Sequence, residues 1–209
     1  NELIKYPEDL VRKVWIFVNK ILQHRAGFQD EAAAIYGGVN LWTFGSGEGE
    51  KAEIIRQGIS PEKAKHLQDR LILVYTGKTH LSSNIHDLVF GPENYKRNIG
   101  KFDRMKELAE IMSENLDNEQ EMIQAIQDTW QLQKSLHPSI ETETMRKLQE
   151  ELKNLFSASR ATGAGGGGCM IFYTSQKSEL SEKIKHLQKR MEGVFSIPFE
   201  FDYQGIKIV

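Results

Sequence analysis

The chain has 209 residues with a net charge of −2 and a pI near 6.4, so it carries no basic field suited to general nucleic-acid binding. At 39% hydrophobic and 27% charged residues it reads as a soluble globular chain, long enough for one domain or two small ones with a real core. Its single cysteine, Cys169, excludes an internal disulfide and a cysteine-based zinc site and fits a reducing, cytoplasmic setting, and no apolar run approaches the roughly 20 residues that span a bilayer.

The first residues, "NELIKYPEDLVRKVW", lack the basic-then-apolar pattern of a secretory signal. They begin without Met and run straight into a helix, so a processed or truncated chain is expected. "PEDLVRKVWIFVNKILQHR" starts with a good helix N-terminus and repeats Leu10, Val14, Phe17, Val18 and Ile21 at helical spacing, which predicts one apolar face. "FQDEAAAIYGG" predicts a second helix, ended by Gly37 and Gly38. "VNLWTF" and "KAEIIRQ" predict paired strands around the turn "GSGEGE". "SPEKAKHLQDR" predicts a short helix or turn, with Pro61 at its first position. "LILVYTG" is a continuous apolar run, as in a strand buried on both faces.

From Pro92 to about Phe156 three helices are expected, the second stopped by His137-Pro138 and the third capped by Ser139 or Thr142. "CMIFYTS" is a second buried strand. "SELSEKIKHLQKRMEGV" is a helix closed by Gly193, and "PFEFDYQGIKIV" alternates like a closing hairpin. The order reads as an α+β fold with helices packed on an antiparallel sheet.

Two stretches carry chemistry. Gly163 and Gly165 to Gly168, with Ala164 between them, match the letters of a dinucleotide fingerprint. That motif follows a strand and opens a helix, whereas this run opens the strand "CMIFY", so a Rossmann reading fails. "TGKT" at Thr76 to Thr79 is not a phosphate loop, because Ile72 stands where the motif needs glycine. A linker reading fits poorly beside a buried strand. Close backbone approach, to a loop or a phosphate, fits better. In the other stretch, Asp30 sits at a helix start, which favours negative charge there, flanked by Gln29 and Glu31 and followed by Ala32 to Ala34. Such a carboxylate can take a proton from a substrate hydroxyl or simply cap the helix. The six histidines show no i, i+4 pair, so a protein zinc site is not expected. Ser82 and Ser83 can donate to a phosphate or cap a helix. Lys78 can contact a phosphate or stay solvated.

Gly27-Phe28-Gln29-Asp30-Glu31, Ala33-Ala34 and Gly37-Gly38-Val39-Asn40 together resemble the "G-x-Q-D-Q-x-A-A-x-x-G-G-x-N" signature of GHMP-type sugar kinases. "LILVYTGKTHLSSNI" and "ATGAGGGGCMIFY" resemble two further segments of that family, in its order and over nearly the whole chain. Within the family the pattern is most similar to the D-glycero-D-manno-heptose 7-phosphate kinases.

The resemblance implies a ferredoxin-like C-terminal domain at 59–209, with 1–58 as the remainder of an N-terminal lobe. It implies transfer of the γ-phosphoryl of ATP, with Mg²⁺, onto a sugar or sugar-phosphate hydroxyl, by analogy the anomeric one. Asp30 would be the base. Gln29, Ser82, Ser83, Lys78 and Arg160 would lie near substrate or phosphate, beside the glycine motif Gly163, Ala164, Gly165, Gly166, Gly167 and Gly168. A homodimer is allowed; nucleic-acid and membrane partners are not implied. The family's ATP loop, "P-x-x-x-G-L-G-S-S-A", does not occur here and is expected before Asn1, so the 209 residues alone are expected to be inactive. Glu31 replaces a usual Gln, His80 stands near a usual Arg, and Arg160 stands in the segment that is usually Gly-Gly-Lys. The alternative is a non-catalytic small-molecule-binding or partner-dependent module on the same fold.

Overall fold

The computed structural model describes residues 6–24, 26–45, 51–79, 85 and 88–207. The chain divides into two compact units, one of residues 1–65 and 200–209 and one of residues 66–199.

In the first unit, α1 (Pro7–Ile16) continues as a π-helical turn, Phe17–Ile21. The wider turn is closed by Leu22 N–H donating to Phe17 O at 2.9 Å. One extra residue per turn rotates everything after it, so the expected apolar face does not persist: Val11 is fully buried, while Phe17 and Ile21 are exposed. Asn19 ties this turn to the next segment, donating to Trp15 O and accepting from Ala26 N–H. The helix α2 (Gln29–Tyr36) follows, then β1 (Asn40–Phe44) and β2 (Ile54–Gly58), paired antiparallel with Asn40 opposite Gly58. Val11, Ala32 and Ile35 form the core, bordered by Trp15, Phe28, Trp42 and Phe44 in a run of stacked rings 5.2–6.2 Å apart.

The helix α3 (Pro61–Arg70), opened by Pro61 as expected, leads into the larger unit. There β3 (Leu71–Thr76) is followed by the helices α4 (Pro92–Glu114), α5 (Glu119–Leu136) and α6 (Glu143–Leu152). Asn118 and Thr142 cap the last two through their side-chain oxygens, and Ser139 lies instead in a 3₁₀ turn, Pro138–Ile140. Then come β4 (Ala158–Ala161), β5 (Cys169–Tyr173), α7 (Lys177–Gln188) and β6 (Val194–Ile197). The strands lie in the order β4-β5-β3-β6, every neighbour antiparallel. A strand, a helical crossover, two strands, a helix and a strand in that order is the ferredoxin-like arrangement.

One face of this sheet, with Ile72, Val74, Met170 and Phe172, packs against Met145, Leu148 and Leu152 of α6 and Leu180, Ile184 and Leu187 of α7. The other face is buried at Leu71 and Tyr173 but only partly at Leu73, Tyr75 and Ile171, so β3 and β5 are buried on both faces, as their apolar runs suggest, over only part of their length. Among the described residues the closing hairpin does not form. The strand comes earlier, at Val194–Ile197, and Pro198 follows it with no N–H to continue the ladder. The tail instead belongs to the first unit, where Ile206 N–H donates to Ile35 O at 3.1 Å.

Phe172 is fully buried and meets Phe156 edge-on at 5.1 Å. Phe172→Ala is expected to cost about 3–5 kcal/mol, read from urea unfolding of the chain.

Candidate functional site

The first unit presents Gln29 and Asp30, both exposed, on the opening turn of α2. Phe28 stands at the cap position and offers no side-chain acceptor, so no side chain closes this helix start. Phe28 is instead pinned between Trp15 and Phe44, and Trp15 Nε1 donates to Ala26 O at 3.0 Å. The approach to the helix is therefore held by α1 and β1, while the Asp30 carboxylate has no hydrogen bond or ion pair among the described residues.

Glu31 has the opposite setting. It is buried, its Oε2 has no partner, and burial raises its pKa, with the Asp30 charge adding to the effect. Adjacent carboxyls on one turn are thus set apart mainly by solvation: one open to water, one disposed to keep its proton.

At the other end of α2, Gly37 and Gly38 take φ of +63° and +73°. A Cβ on Gly37 would lie 2.6 Å from Gly205 N and 2.7 Å from Asp202 O, so the glycine pair makes room for the C-terminal tail. Asn40 holds this corner, donating to Gly37 O at 2.9 Å and accepting from Arg56 Nε at 2.6 Å. Arg56 also lies over the Tyr36 ring, and the Tyr36 hydroxyl, whose pKa burial pushes far up, bonds to Glu8.

In the larger unit the glycine run joins β4 to β5, strand to strand, which is incompatible with a dinucleotide fold. Gly163 and Gly165 to Gly168 all have positive φ. The run is gripped on two sides. Gly168 O accepts from both the backbone and the hydroxyl of Thr76, at 2.9 and 2.8 Å, and Gly168 N–H donates to Lys78 O at 2.8 Å. On the other side Gly166 N–H donates to Ile140 O at 2.7 Å. A Cβ on Gly165 would sit 2.7 Å from Ile140 Cγ2 and 2.9 Å from Ile140 O. The structure thus brings together "TGK" and the glycine run, the main chain of one bonded to the main chain of the other, with the Lys78 side chain exposed. Ser82, Ser83 and His80 lie outside the described residues.

Gln133 of α5 was not singled out by the sequence. It is buried, donates to Gly163 O at 2.8 Å and accepts from Arg160 at 3.4 Å, so it links the first glycine to the guanidinium on β4. Nothing in a polar position of a helix announces such a contact in advance. Arg160 forms no ion pair with any described residue, and burial lowers its pKa. Among the described residues no three His, Cys, Asp or Glu side chains converge on a point, so no protein cage for a divalent cation is present there. No helix among the described residues is long and apolar enough to cross a membrane.

Residues 98–193 match the family model for the C-terminal domain of GHMP kinases. The bifunctional fucokinase/GDP-fucose pyrophosphorylase of Arabidopsis thaliana is 26% identical over 189 residues, 88% of this chain and 17% of that protein. A D-glycero-D-manno-heptose 1-phosphate kinase from Bacteriodes thetaiotaomicron superposes with a TM-score of 0.63 at 18% identity, over 95% of this chain and 55% of its own. The mevalonate kinase of Methanococcus jannaschii superposes at 0.60 and 21% identity, over 88% and 54%. The chain spans less than two thirds of the length of each, and the structural likenesses establish the fold.

Two outcomes follow from this geometry. Gly165→Ala is expected to lose roughly 1–3 kcal/mol. Gly163→Ala, whose Cβ would meet nothing within 4 Å, should lose only about 1 kcal/mol. Urea midpoints compare them. For Glu31 the raised pKa means the folded chain holds the proton more tightly than the unfolded one. Its contribution is full below the usual carboxylate range and is lost as pH rises through the raised value. Glu31→Gln is therefore expected to gain on the order of 1 kcal/mol at pH 7, the scale of one buried unsatisfied group. The gain should vanish below about pH 4, as read by thermal midpoints across that range.

Proposed function

We propose that this chain, whose larger unit contains a GHMP kinase C-terminal domain, is the C-terminal part of an ATP-dependent sugar or sugar-phosphate kinase. In this reading the enzyme moves the γ-phosphoryl group of ATP to a sugar hydroxyl, the anomeric hydroxyl of heptose 7-phosphate or a related sugar. The observation that carries it is Asp30: an exposed carboxylate without a partner among the described residues, on the first turn of α2, inside the stretch that resembles the GHMP-type signature.

Asp30 accepts the hydroxyl proton, or orients the hydroxyl, as its oxygen attacks the γ-phosphorus. Phosphoryl transfer asks little covalent chemistry of the protein; most of the acceleration is positioning and charge neutralisation. Gln29, next to Asp30, contacts the sugar. Lys78, Ser82 and Ser83 meet phosphate oxygens. The run Gly163 to Gly168 supplies a main chain that a phosphate or sugar can approach without meeting side chains, and Arg160 supports it from behind through Gln133. Mg²⁺ bound to the triphosphate would neutralise its charge, with Asp30 the carboxylate here that could reach it. This reading needs an ATP loop of the family pattern, which does not occur in these 209 residues.

Asp30→Ala in a protein that also contains the ATP loop is expected to lower turnover about 10²–10⁴-fold with unchanged circular dichroism, measured as ADP release with heptose 7-phosphate and with other sugars. Turnover within a factor of a few of the parent on every sugar tested would overturn the assignment of Asp30.

A further inference from the structure

A cavity of about 220 Å³ opens in the larger unit between α3, α4, α5 and the β4–β5 edge of the sheet. Its walls are Leu67, Leu71, Met112, Met122, Ile126 and Ile171, and among the described residues Arg160 is its only charged lining residue. Arg160 reaches this side because it pairs across the ladder with Ile171, on the sheet face opposite the Met170–Phe172 core.

The guanidinium is poorly served where it lies. Its contacts are with neutral oxygens, Ala161 O at 3.2 Å and Gln133 Oε1 at 3.4 Å, long for a charged donor. No carboxylate of a described residue lies within ion-pair distance. Burial acts against its charge, yet a guanidinium stays protonated in proteins, so the cost is met by an anion or not at all. Around it the surface is apolar and the two methionines can adjust to a guest. The volume falls below the ~300 Å³ at the small end of ligand pockets, so the guest is short.

We propose that Arg160 and this cavity bind a small amphipathic monoanion, a short aliphatic carboxylate, with the acid group on the guanidinium and the chain among the leucine, isoleucine and methionine side chains. The inference goes beyond the kinase reading and stands without it, since it uses only residues of the larger unit. Because Gln133 holds both Arg160 and Gly163 O, a bound anion competes for the same guanidinium that rests against the glycine-run anchor.

Calorimetry of the 209-residue chain with hexanoate tests it, with 1-hexanol and acetate as the uncharged and the chainless controls. The expected result is saturable one-to-one binding of hexanoate, at least tenfold weaker binding of both controls, a tenfold or greater loss in Arg160→Gln and partial recovery in Arg160→Lys. Met112→Trp, which fills the cavity from the partly exposed face of α4, should abolish binding while leaving circular dichroism unchanged. Absence of saturable hexanoate binding overturns the proposal, as does equal affinity for 1-hexanol. If Arg160→Gln does not fold, Met112→Trp decides: hexanoate affinity unchanged in that variant places any binding elsewhere and overturns the assignment.

Discussion

The larger unit depends on a main chain held from both sides where it has no side chains to hold. Gly168 closes the ladder between β5 and β3 by bonding to Thr76 and Lys78, and two residues earlier Gly166 bonds to Ile140 across the loop that ends α5. These contacts need the backbones almost touching, and they need φ values that a Cβ would resist. The β4–β5 connection is therefore a fixed object. Its shape is set by hydrogen bonds to two other segments, the end of β3 and the turn at Ile140. Gln133 of α5 brings in a third, at Gly163.

The smaller unit solves a related problem with other means. The helix α2 is short, and its start has no side-chain cap. Its position comes from the ring stack of Trp15, Phe28 and Phe44 before it and from the glycine pair and tail after it. On its first turn Asp30 is exposed and has no partner among the described residues. Next to it Glu31 turns inward and goes without a partner at one oxygen. Buried acids of this kind cost stability near neutral pH, and they persist where the surrounding packing is worth more.

Much of this was legible in the chain. Helical spacing and terminators placed α2, α3, α4 and α5 close to their observed bounds, because a proline, a cap or a glycine marks their ends, whereas α6 is shorter than expected and α7 stops at Gln188, five residues before the Gly193 expected to close it. The apolar runs identified β3 and β5. The α+β arrangement and its ferredoxin-like order were both expected, the second from the family resemblance. Three features were not legible. The strand β4 is "ASRA", which has little intrinsic strand character and exists because β5 offers a ladder to pair with. The strand β6 and the tail exchanged places with the expected hairpin, because alternation marks a chain that can pair but does not say with what. The π turn after α1 reset the phase of the apolar face, an effect that a count of spacings assumes away.

By itself the sequence determined local form and chemical type: where helices start and stop, where the chain must be glycine, and which carboxylate stands at a helix entrance. Those follow from interactions within a few residues. Only the tertiary structure decided that Thr76 and Lys78 meet Gly168, that Gln133 bridges Gly163 and Arg160, that Glu31 is buried while Asp30 is not, and that Gly37 faces the tail. Each of these joins residues far apart in the chain or depends on what solvent is excluded around them. A hydrogen bond or a desolvated charge is a property of that packed neighbourhood, which no single segment carries.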